Sequence, residues 1–129
     1  MKTSELTGTA LDWAVAVADK RNFKFSLGGS LEVRARTEYG DELPIDALDL
    51  WMYWNPSTNW AQGGPIVERE KITLDYDCNS QGLDLWAARK HAYDGTLLWE
   101  EFGPTPLTAA MRCFVASKLG DEIEFPKVL

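Results

Sequence analysis

The sequence contains a single histidine, His91, and only two cysteines, Cys78 and Cys113. One imidazole and two thiols do not supply the four ligands of a structural zinc site, so we predict neither a metal site nor a cofactor. No run of eighteen apolar residues is present, which argues against a membrane span. The first residues, MKTSELTG, lack the apolar stretch of a secretory signal. We therefore expect a cytoplasmic protein whose cysteines are reduced and form no intrachain disulfide.

Basic residues are also few, since 13 Lys and Arg stand against 20 Asp and Glu and give a net charge of −7. Long nucleic acid requires clustered cations, so we do not expect it as a partner. A small anion held by one or two arginines remains compatible with this charge. Apolar material is abundant, at 45% of the residues with six tryptophans. That is enough for a core, and we predict a single globular domain over residues 1–129.

The stretch from Gly103 to Pro126, GPTPLTAAMRCFVASKLGDEIEFP, is expected to organise the rest of the chain. It predicts a helix over 106–119, with Thr105 as the N-cap, Pro106 at the first helical position and Gly120 at the end. Its apolar stripe has three- and four-residue spacing and consists of Leu107, Ala110, Met111, Phe114 and Val115. The alternation from Asp121 onward predicts a short edge strand that stops at Pro126.

The remaining patterns predict an α+β fold in which a small, mostly antiparallel sheet packs against two main helices, at about 8–19 and 106–119. Thr7 is the expected cap of the first helix. Strands are predicted at 23–27, 50–54, 72–74 and 83–90, and the strand at 50–54 is expected to be buried. Two further segments are ambiguous. Residues 2–6 suit a brief strand or an extended lead-in, and residues 31–35 suit either a strand or a loop. Turns are predicted at 39–42 and 77–82, no period is clear over 43–48, and residues 91–95 are predicted to form a loop.

The least ordinary stretch is NPSTNWAQGGPIVERE, from Asn55 to Glu70. Two prolines and two adjacent glycines in its first eleven residues predict a loop of irregular backbone, after which Pro65 can open a short helical turn. An aromatic face with neutral amide and hydroxyl groups suits the stacking and reading of a heterocycle. The predicted binding residues are Asn55, Ser57, Thr58, Asn59, Trp60, Gln62, Gly63, Gly64 and Arg69.

Each of these residues has an expected role. Trp60 would stack on a base, and Asn59 and Gln62 would read its edge. The amides of Gly63 and Gly64 would approach a phosphate, although a tight turn is the more ordinary reason for a glycine pair. Arg69 would balance the charge. Trp54, on a strand, is better explained as a core anchor, whereas for Trp60 the core and ligand-facing interpretations are both open.

No catalytic residue is singled out, and we expect the protein not to be an enzyme. Cys113 falls on the terminal helix near its buried stripe, where a thiol usually serves as a small apolar group. His91 lies in a polar stretch that favours an exposed loop. Glu68 and Glu70 could form an acid–base pair, but a solvated run of charge is the simpler interpretation.

Three segments resemble the NinX-like family of small proteins encoded by lambdoid phages and prophages. They are SELTGTALDWAVA near the start, NPSTNWAQGGPIVERE in the middle and GPTPLTAAMRCFVASKLGDEIEFP near the end. The resemblance implies a phage origin, a location in the cytosol of the bacterial host and an accessory role that basic replication does not need. It implies no particular mechanism.

Two functions therefore stay open. In the first, the protein binds a small nucleotide-like anion and sequesters a host signalling nucleotide, which would counter host defence. A chain of this size has little concave surface, so we expect a homo-oligomer interface to complete that site. In the second, it is an acidic module that inhibits or adapts a host or phage protein through a surface patch.

Overall fold

The computed structural model describes residues 1–35, 51–78 and 84–124, without the side chains of Cys78 and Asp84. A short 3-10 helix at Thr3–Glu5 precedes the larger elements. In chain order these are α1 Gly8–Ala18, β1 Phe23–Phe25, β2 Leu31–Arg34, β3 Trp51–Tyr53, α2 Trp60–Glu70, β4 Thr73–Cys78, β5 Asp84–His91, β6 Leu97–Gly103 and α3 Pro106–Leu119. The predicted turns at 39–42 and 77–82 and the stretch 43–48 lie wholly or mainly outside the described residues.

Helix α3 lies at the centre of the fold, as its sequence predicts. It packs against α1, α2 and the sheet formed by β4, β5 and β6. The Thr105 side chain accepts a hydrogen bond from the Thr108 amide, and Pro106 begins the helix. Gly120 follows the last turn with a φ of 91°, a value that favours glycine. The predicted stripe is fully buried, and so are neighbours that the stripe did not include, because α3 is covered on several sides.

The strands form two three-stranded antiparallel sheets, with orders β1-β2-β3 and β4-β5-β6. This confirms the α+β class, although a single sheet was predicted. The ambiguous segment at 31–35 is strand β2, which pairs with both β1 and β3 and buries Leu31 and Val33. Strand β3 is less buried than expected, because Tyr53 is exposed and Met52 is only partly buried against the core, whereas the following Trp54 is fully buried.

The loop predicted at 91–95 is confirmed from Ala92 onward, but the strand that follows it at Leu97–Gly103 was not predicted. That segment is β6, and its hairpin with β5 closes with a hydrogen bond from the Ala92 amide to the Thr96 carbonyl. The expected edge strand at 121–126 is reduced to one isolated bridge between Lys2 and Glu122, with residues 125–129 outside the described ranges. At the other end, residues 2–6 hold a 3-10 turn and not a strand.

Helix α2 was predicted as a loop up to Gly64, and this is the largest correction. Asn59 caps it by accepting a hydrogen bond from the Ala61 amide, and Pro65 lies inside it. An internal proline removes a helical hydrogen bond, which normally costs about 3 kcal/mol. The packing of α2 on α3 offsets that cost, since Ile66 on this helix is buried in the core.

Two polar groups tie the core together. The Arg112 guanidinium, on α3, is buried and donates to the carbonyls of Leu6 and Phe102, both at 2.8 Å. Burial lowers the pKa of Arg112. The second group is the Trp54 indole, which donates to the carbonyl of Asp12 on α1 at 3.1 Å. The Arg21 guanidinium lies 4.8 Å from the Trp54 ring centroid. Trp54 is therefore a core anchor, as expected. Thr7 occupies the N-cap position of α1 but makes no side-chain capping bond.

Candidate functional site

Helices α2 and α3 run side by side in the same direction. Near the start of both, a Cβ atom on Gly63 would lie 2.7 Å from Leu107 Cδ2. Near the end of both, the Lys118 ammonium lies 3.2 Å from the Glu70 carboxylate. The two amino termini, where the positive ends of the helix dipoles lie, are therefore at the same end of the pair.

A cavity of about 290 Å³ lies where the two helices begin. Trp60, the first residue of α2, forms part of its wall and is 53% exposed, so it is not a core residue. The cavity is rich in hydroxyl groups, and its described lining consists of Ser57, Thr58, Trp60, Thr105, Pro106, Leu107 and Thr108. An open indole face beside several hydroxyls can stack on a planar ring and donate hydrogen bonds to it.

The electrostatics of this cavity combine two positive helix ends with a carboxylate, because Asp12 accepts from the Ser57 amide at 2.8 Å. Neither helix has an acidic residue in its first turn, so no side chain there neutralises the helix dipoles. The Thr105 hydroxyl donates to the Thr108 hydroxyl at 3.0 Å. Because each hydroxyl has one hydrogen, the Thr108 hydrogen stays available to a ligand.

Ser57 stands out on this wall. Its amide donates to the Asp12 carboxylate at 2.8 Å, and the residue is only 2% exposed. Its hydroxyl oxygen is also buried and lies beside the same Asp12 carboxylate. Burial raises the pKa of Asp12, and the nearby Ser57 hydroxyl and amide oppose that rise. Ser57 is therefore bound to Asp12 through both its amide and its hydroxyl.

The predicted edge-reading side chains turn inward and hold the loop before α2. The Gln62 carbonyl oxygen accepts from the Asn55 amide at 2.6 Å, and the Gln62 side-chain amide donates to the Tyr53 carbonyl. Asn59 caps α2 and also donates to the Asn55 side chain at 3.3 Å. Asn55 in turn donates to the Thr58 hydroxyl at 3.3 Å. These bonds hold the loop on either side of Trp60 and use part of the hydrogen-bonding capacity of the amides that were expected to contact a base.

The glycine pair has a structural reason. Gly63 is helical, and its amide donates to the Asn59 carbonyl at 2.9 Å, so it does not face an anion. A Cβ atom on Gly63 would lie 2.5 Å from the Pro56 carbonyl oxygen, which explains why only glycine fits. Gly64 is also helical and has open space, since a Cβ there would come no closer than 3.8 Å, to the Trp60 ring.

Arg69 lies at the far end of α2, where it pairs with Asp19 at 2.8 Å and with Glu70 at 3.0 Å. It lines a second, smaller cavity of about 160 Å³ together with Gln62, Arg21 and Trp54. The structure therefore brings Ser57, Thr58 and Trp60 together but separates them from Arg69. Arg69 and Trp60 line different cavities, so the structure does not place the Arg69 charge beside the Trp60 ring.

The residues considered for catalysis occupy structural positions. Burial raises the pKa of the Cys113 thiol to about 12, and this thiol is free. His91 is exposed. Glu70 belongs to an ionic cluster with Lys90 and Lys118, and Glu68 is exposed on α2. Within the described ranges, no group of three or more His, Cys, Asp and Glu side chains is arranged to hold a metal ion.

The residues of α3 and its cap that form the second wall of the cavity were not predicted to bind a ligand. Thr105 and Pro106 were recognised only as the start of a helix, and Thr108 was not considered. Only the helix start at Thr105-Pro106 was predicted, because the stretch around Asn59-Trp60 was predicted to be a loop. The convergence of the two helix starts was not predicted either, because it depends on the missed strand β6, which reverses the chain before α3.

Comparison with protein families shows which family this chain belongs to. A model of the family described as bacteriophage P22 NinX matches residues 2–118 of this chain. The chain belongs to the NinX family. The expected relationship is thereby confirmed, and membership indicates a phage accessory protein. No curated protein matches the chain significantly.

The NinX match includes both walls of the cavity, from Ser57 to Thr108. It also includes α1, which supplies the Asp12 carboxylate under Ser57. In the parts of the chain that the structure describes, no helix has both the length and the apolar character needed to cross a bilayer.

Proposed function

We propose that this NinX protein binds a small, planar, nucleotide-like anion in the cavity between the starts of α2 and α3. The binding is non-catalytic, takes place in the cytosol of the bacterial host, and sequesters a host signalling nucleotide to the advantage of the phage. The observation that carries the proposal is the half-exposed Trp60 beside a hydroxyl-lined cavity at two helix amino termini.

Trp60 is held in a way that suits a stacking platform. The bonds of Asn55, Asn59 and Gln62 fix the chain on either side of it, so that little ordering is needed when a ligand arrives. Base stacking on an aromatic side chain is worth about 1–3 kcal/mol. If Trp60 bound no ligand, holding its exposed side chain rigidly in place would have no evident use.

The proposal is tested by calorimetric titration with a panel of linear and cyclic nucleotides. We expect at least one to bind with a Kd below about 100 μM, which corresponds to roughly 5.5 kcal/mol. Trp60→Ala should abolish that binding and leave the Tm almost unchanged, because half of the side chain is already exposed. A matched control is Trp54→Phe, which removes the bond to the Asp12 carbonyl and should lower the Tm without the same loss of binding.

If no nucleotide binds below that concentration, the nucleotide function is wrong. A Tm that falls together with affinity in Trp60→Ala would mean that Trp60 is only structural. Native mass spectrometry of protein from infected cells adds a direct readout. It shows any retained ligand, and it tests the expectation that a homo-oligomer completes the site.

A second candidate function is the docking of a host or phage protein on an acidic module. The observation in its favour is the β5–β6 hairpin, where Tyr93 is fully exposed and Leu97 and Leu98 are about half exposed. The turn is held by bonds from the Gly95 and Thr96 amides, so it would present Tyr93 rigidly. Aromatic anchors of this kind are enriched where proteins bind each other.

A further inference from the structure

Strand β6 lies at one edge of the sheet β4-β5-β6. It pairs with β5 on one side, and among the described residues no strand pairs with its other side, which we call the open edge. We infer that the open edge, together with an acidic cavity beside it, receives an extended segment of another protein in which basic and apolar residues alternate. This inference rests on the second candidate function, the docking of a protein, and is independent of nucleotide binding.

The backbone of β6 offers hydrogen bonds that an added strand can use. An edge strand presents a row of amides and carbonyls, and an extended peptide binds by pairing with them. The Phe102 carbonyl is already used, because it accepts from the Arg112 guanidinium at 2.8 Å. In the described ranges, the backbone of residues 98–101 forms no hydrogen bond outside its own sheet. The added strand therefore lies along residues 98–101.

The two faces of β6 give the added strand different contacts. Ala88, which pairs with Glu101, is buried in the core, so Glu101 lies on the side of α3 and its neighbour Phe102 on the outer side. Phe102 is 38% exposed, and Leu98, nearer the start of the strand, is 55% exposed. Apolar side chains of an added strand would cover part of this surface.

The charge beside the open edge favours a basic partner. On the side of α3, Glu101 borders a cavity of about 280 Å³, which contains three acidic residues and one basic residue. Its described lining consists of Lys2, Ser4, Glu101, Asp121 and Glu122. Burial, and then the charge of Asp121, raise the pKa of Glu101, although Arg112 opposes them. A Lys or Arg side chain from an added strand would stabilise the ionised carboxylate.

The same charges disfavour a second copy of this chain as the occupant. Two copies of β6 paired antiparallel about the middle of the strand would bring Glu100 and Glu101 of one protomer against the same residues of its partner. Like charges that lie opposite each other on paired strands are destabilising. Edge strands avoid self-association by carrying charge in this way. A basic segment of another protein meets no such repulsion.

The test uses a fluorescently labelled peptide of about eight residues in which Lys alternates with Val. It is compared with a peptide that has Glu in place of Lys, and with a Lys peptide whose two central amides are N-methylated, which removes a donor from each of its edges. Fluorescence anisotropy measures the affinity for the full chain, and hydrogen exchange measures the protection of the amides of residues 98–101. We expect the Lys peptide to bind about tenfold or more tightly than either control, and to slow exchange in β6. Its affinity should fall as the salt concentration rises.

Variants of the full chain locate the binding site. Leu98→Lys adds a cation at an exposed position and should reduce affinity for the Lys peptide about tenfold without lowering the Tm. Glu101→Gln should reduce it about threefold to fivefold, and its Tm should not fall, because burial already disfavours the ionised carboxylate. Glu68→Gln removes the same charge from an exposed position on α2 and should bind the peptide as the wild type does. Trp60→Ala should also bind it unchanged.

The outcomes separate this inference from the docking function. If the N-methylated peptide binds as well as its parent, or if exchange in β6 is unchanged, strand addition is wrong while docking on an acidic surface stands. If Tyr93→Ser abolishes binding of the Lys peptide and Leu98→Lys does not, the partner docks at the hairpin turn and not at the open edge. If the Glu peptide binds as tightly as the Lys peptide, the assignment of a basic partner is overturned.

Two further results would also overturn the inference. If sedimentation velocity shows a dimer without peptide, and Leu98→Lys dissociates that dimer, the occupant of the open edge is a second copy of the chain. If no Lys peptide binds in either backbone form, both the open-edge site and the docking of a basic partner are wrong. Neither result bears on the binding of a nucleotide beside Trp60.

Discussion

Glu70 is the centre of an ionic cluster at the end of the molecule opposite the cavity, and replacing it tests the electrostatics of the fold. Its carboxylate lies 3.0 Å from the Lys90 ammonium, 3.2 Å from that of Lys118 and 3.0 Å from the Arg69 guanidinium. These cations come from β5, α3 and α2, so one carboxylate connects three elements. The substitution Glu70→Gln keeps the shape of the side chain and removes its charge.

The size of the effect follows from the pKa of Glu70. Burial alone would raise it, but hydrogen bonds from Lys90, Arg69 and Lys118 outweigh burial and lower the pKa from 4.5 to about 2. At about 1.4 kcal/mol for each pKa unit, the upper limit is roughly 3.4 kcal/mol. Arg69 and Lys118 are nearly half exposed, and solvent screens their contributions. We therefore expect Glu70→Gln to cost about 1–2 kcal/mol, or about 3–8 °C in Tm.

Urea unfolding between pH 7 and pH 3 measures the effect and its sign. Because folding lowers the pKa, the stabilisation is fully present above the unfolded value near 4.5 and is lost as the pH falls toward 2. The difference between wild type and Glu70→Gln should therefore be constant from pH 7 to pH 5 and shrink by pH 3. Glu68→Gln, two residues earlier and exposed, is the control and should change little. A difference that is absent at pH 7, or undiminished at pH 3, would refute this account.

Three further predictions concern the core. Phe114→Ala should cost about 3–5 kcal/mol in urea unfolding, because the ring is buried at the centre of α3, and a change in Tm of only a degree or two would contradict that placement. Gly63→Ala should destabilise by about 1–3 kcal/mol through its contact with Pro56, whereas Gly64→Ala should be neutral or stabilising by up to about 1 kcal/mol; equal effects would be inconsistent with the packing. Intact-mass analysis should show Cys113 alkylated quickly only after denaturation, because burial raises its thiol pKa to about 12; rapid labelling of the native protein would argue otherwise.

The terminal helix was predictable because every signal for it is local. Its cap at Thr105, its proline at the first position and its closing glycine lie within sixteen residues of each other, and the structure has the same boundaries. The first helix was likewise predicted to within one residue. In both cases local propensity and tertiary packing favour the same conformation.

Helix α2 could not be predicted in the same way, because its local signals conflict with its structure. Gly63, Gly64 and Pro65 all disfavour a helix interior, and together they predict a loop. Position 63 requires glycine because of two close neighbours: Pro56, which precedes α2, and Leu107, which lies on α3. Such a requirement is visible only once α3 is in place.

The candidate site was predicted in part. Three of its residues, Ser57, Thr58 and Trp60, were assigned from the chemistry of their side chains, and the cavity brings them together. The opposite wall, at Thr105 and Thr108, is about fifty residues away in sequence. Pairing it with Trp60 requires the order and direction of β4, β5 and β6, which hydrophobic patterns alone did not give.

The central position of α3 has a consequence for synthesis in the cell. This helix follows all the other described helices and strands in the chain, yet α1, α2 and the second sheet all bury their apolar faces against it. A nascent chain that ends before Pro106 lacks this helix, which therefore cannot cover core residues such as Leu11 and Ile66. We expect prematurely terminated chains to be rapidly degraded by host proteases, so that only chains that include α3 accumulate.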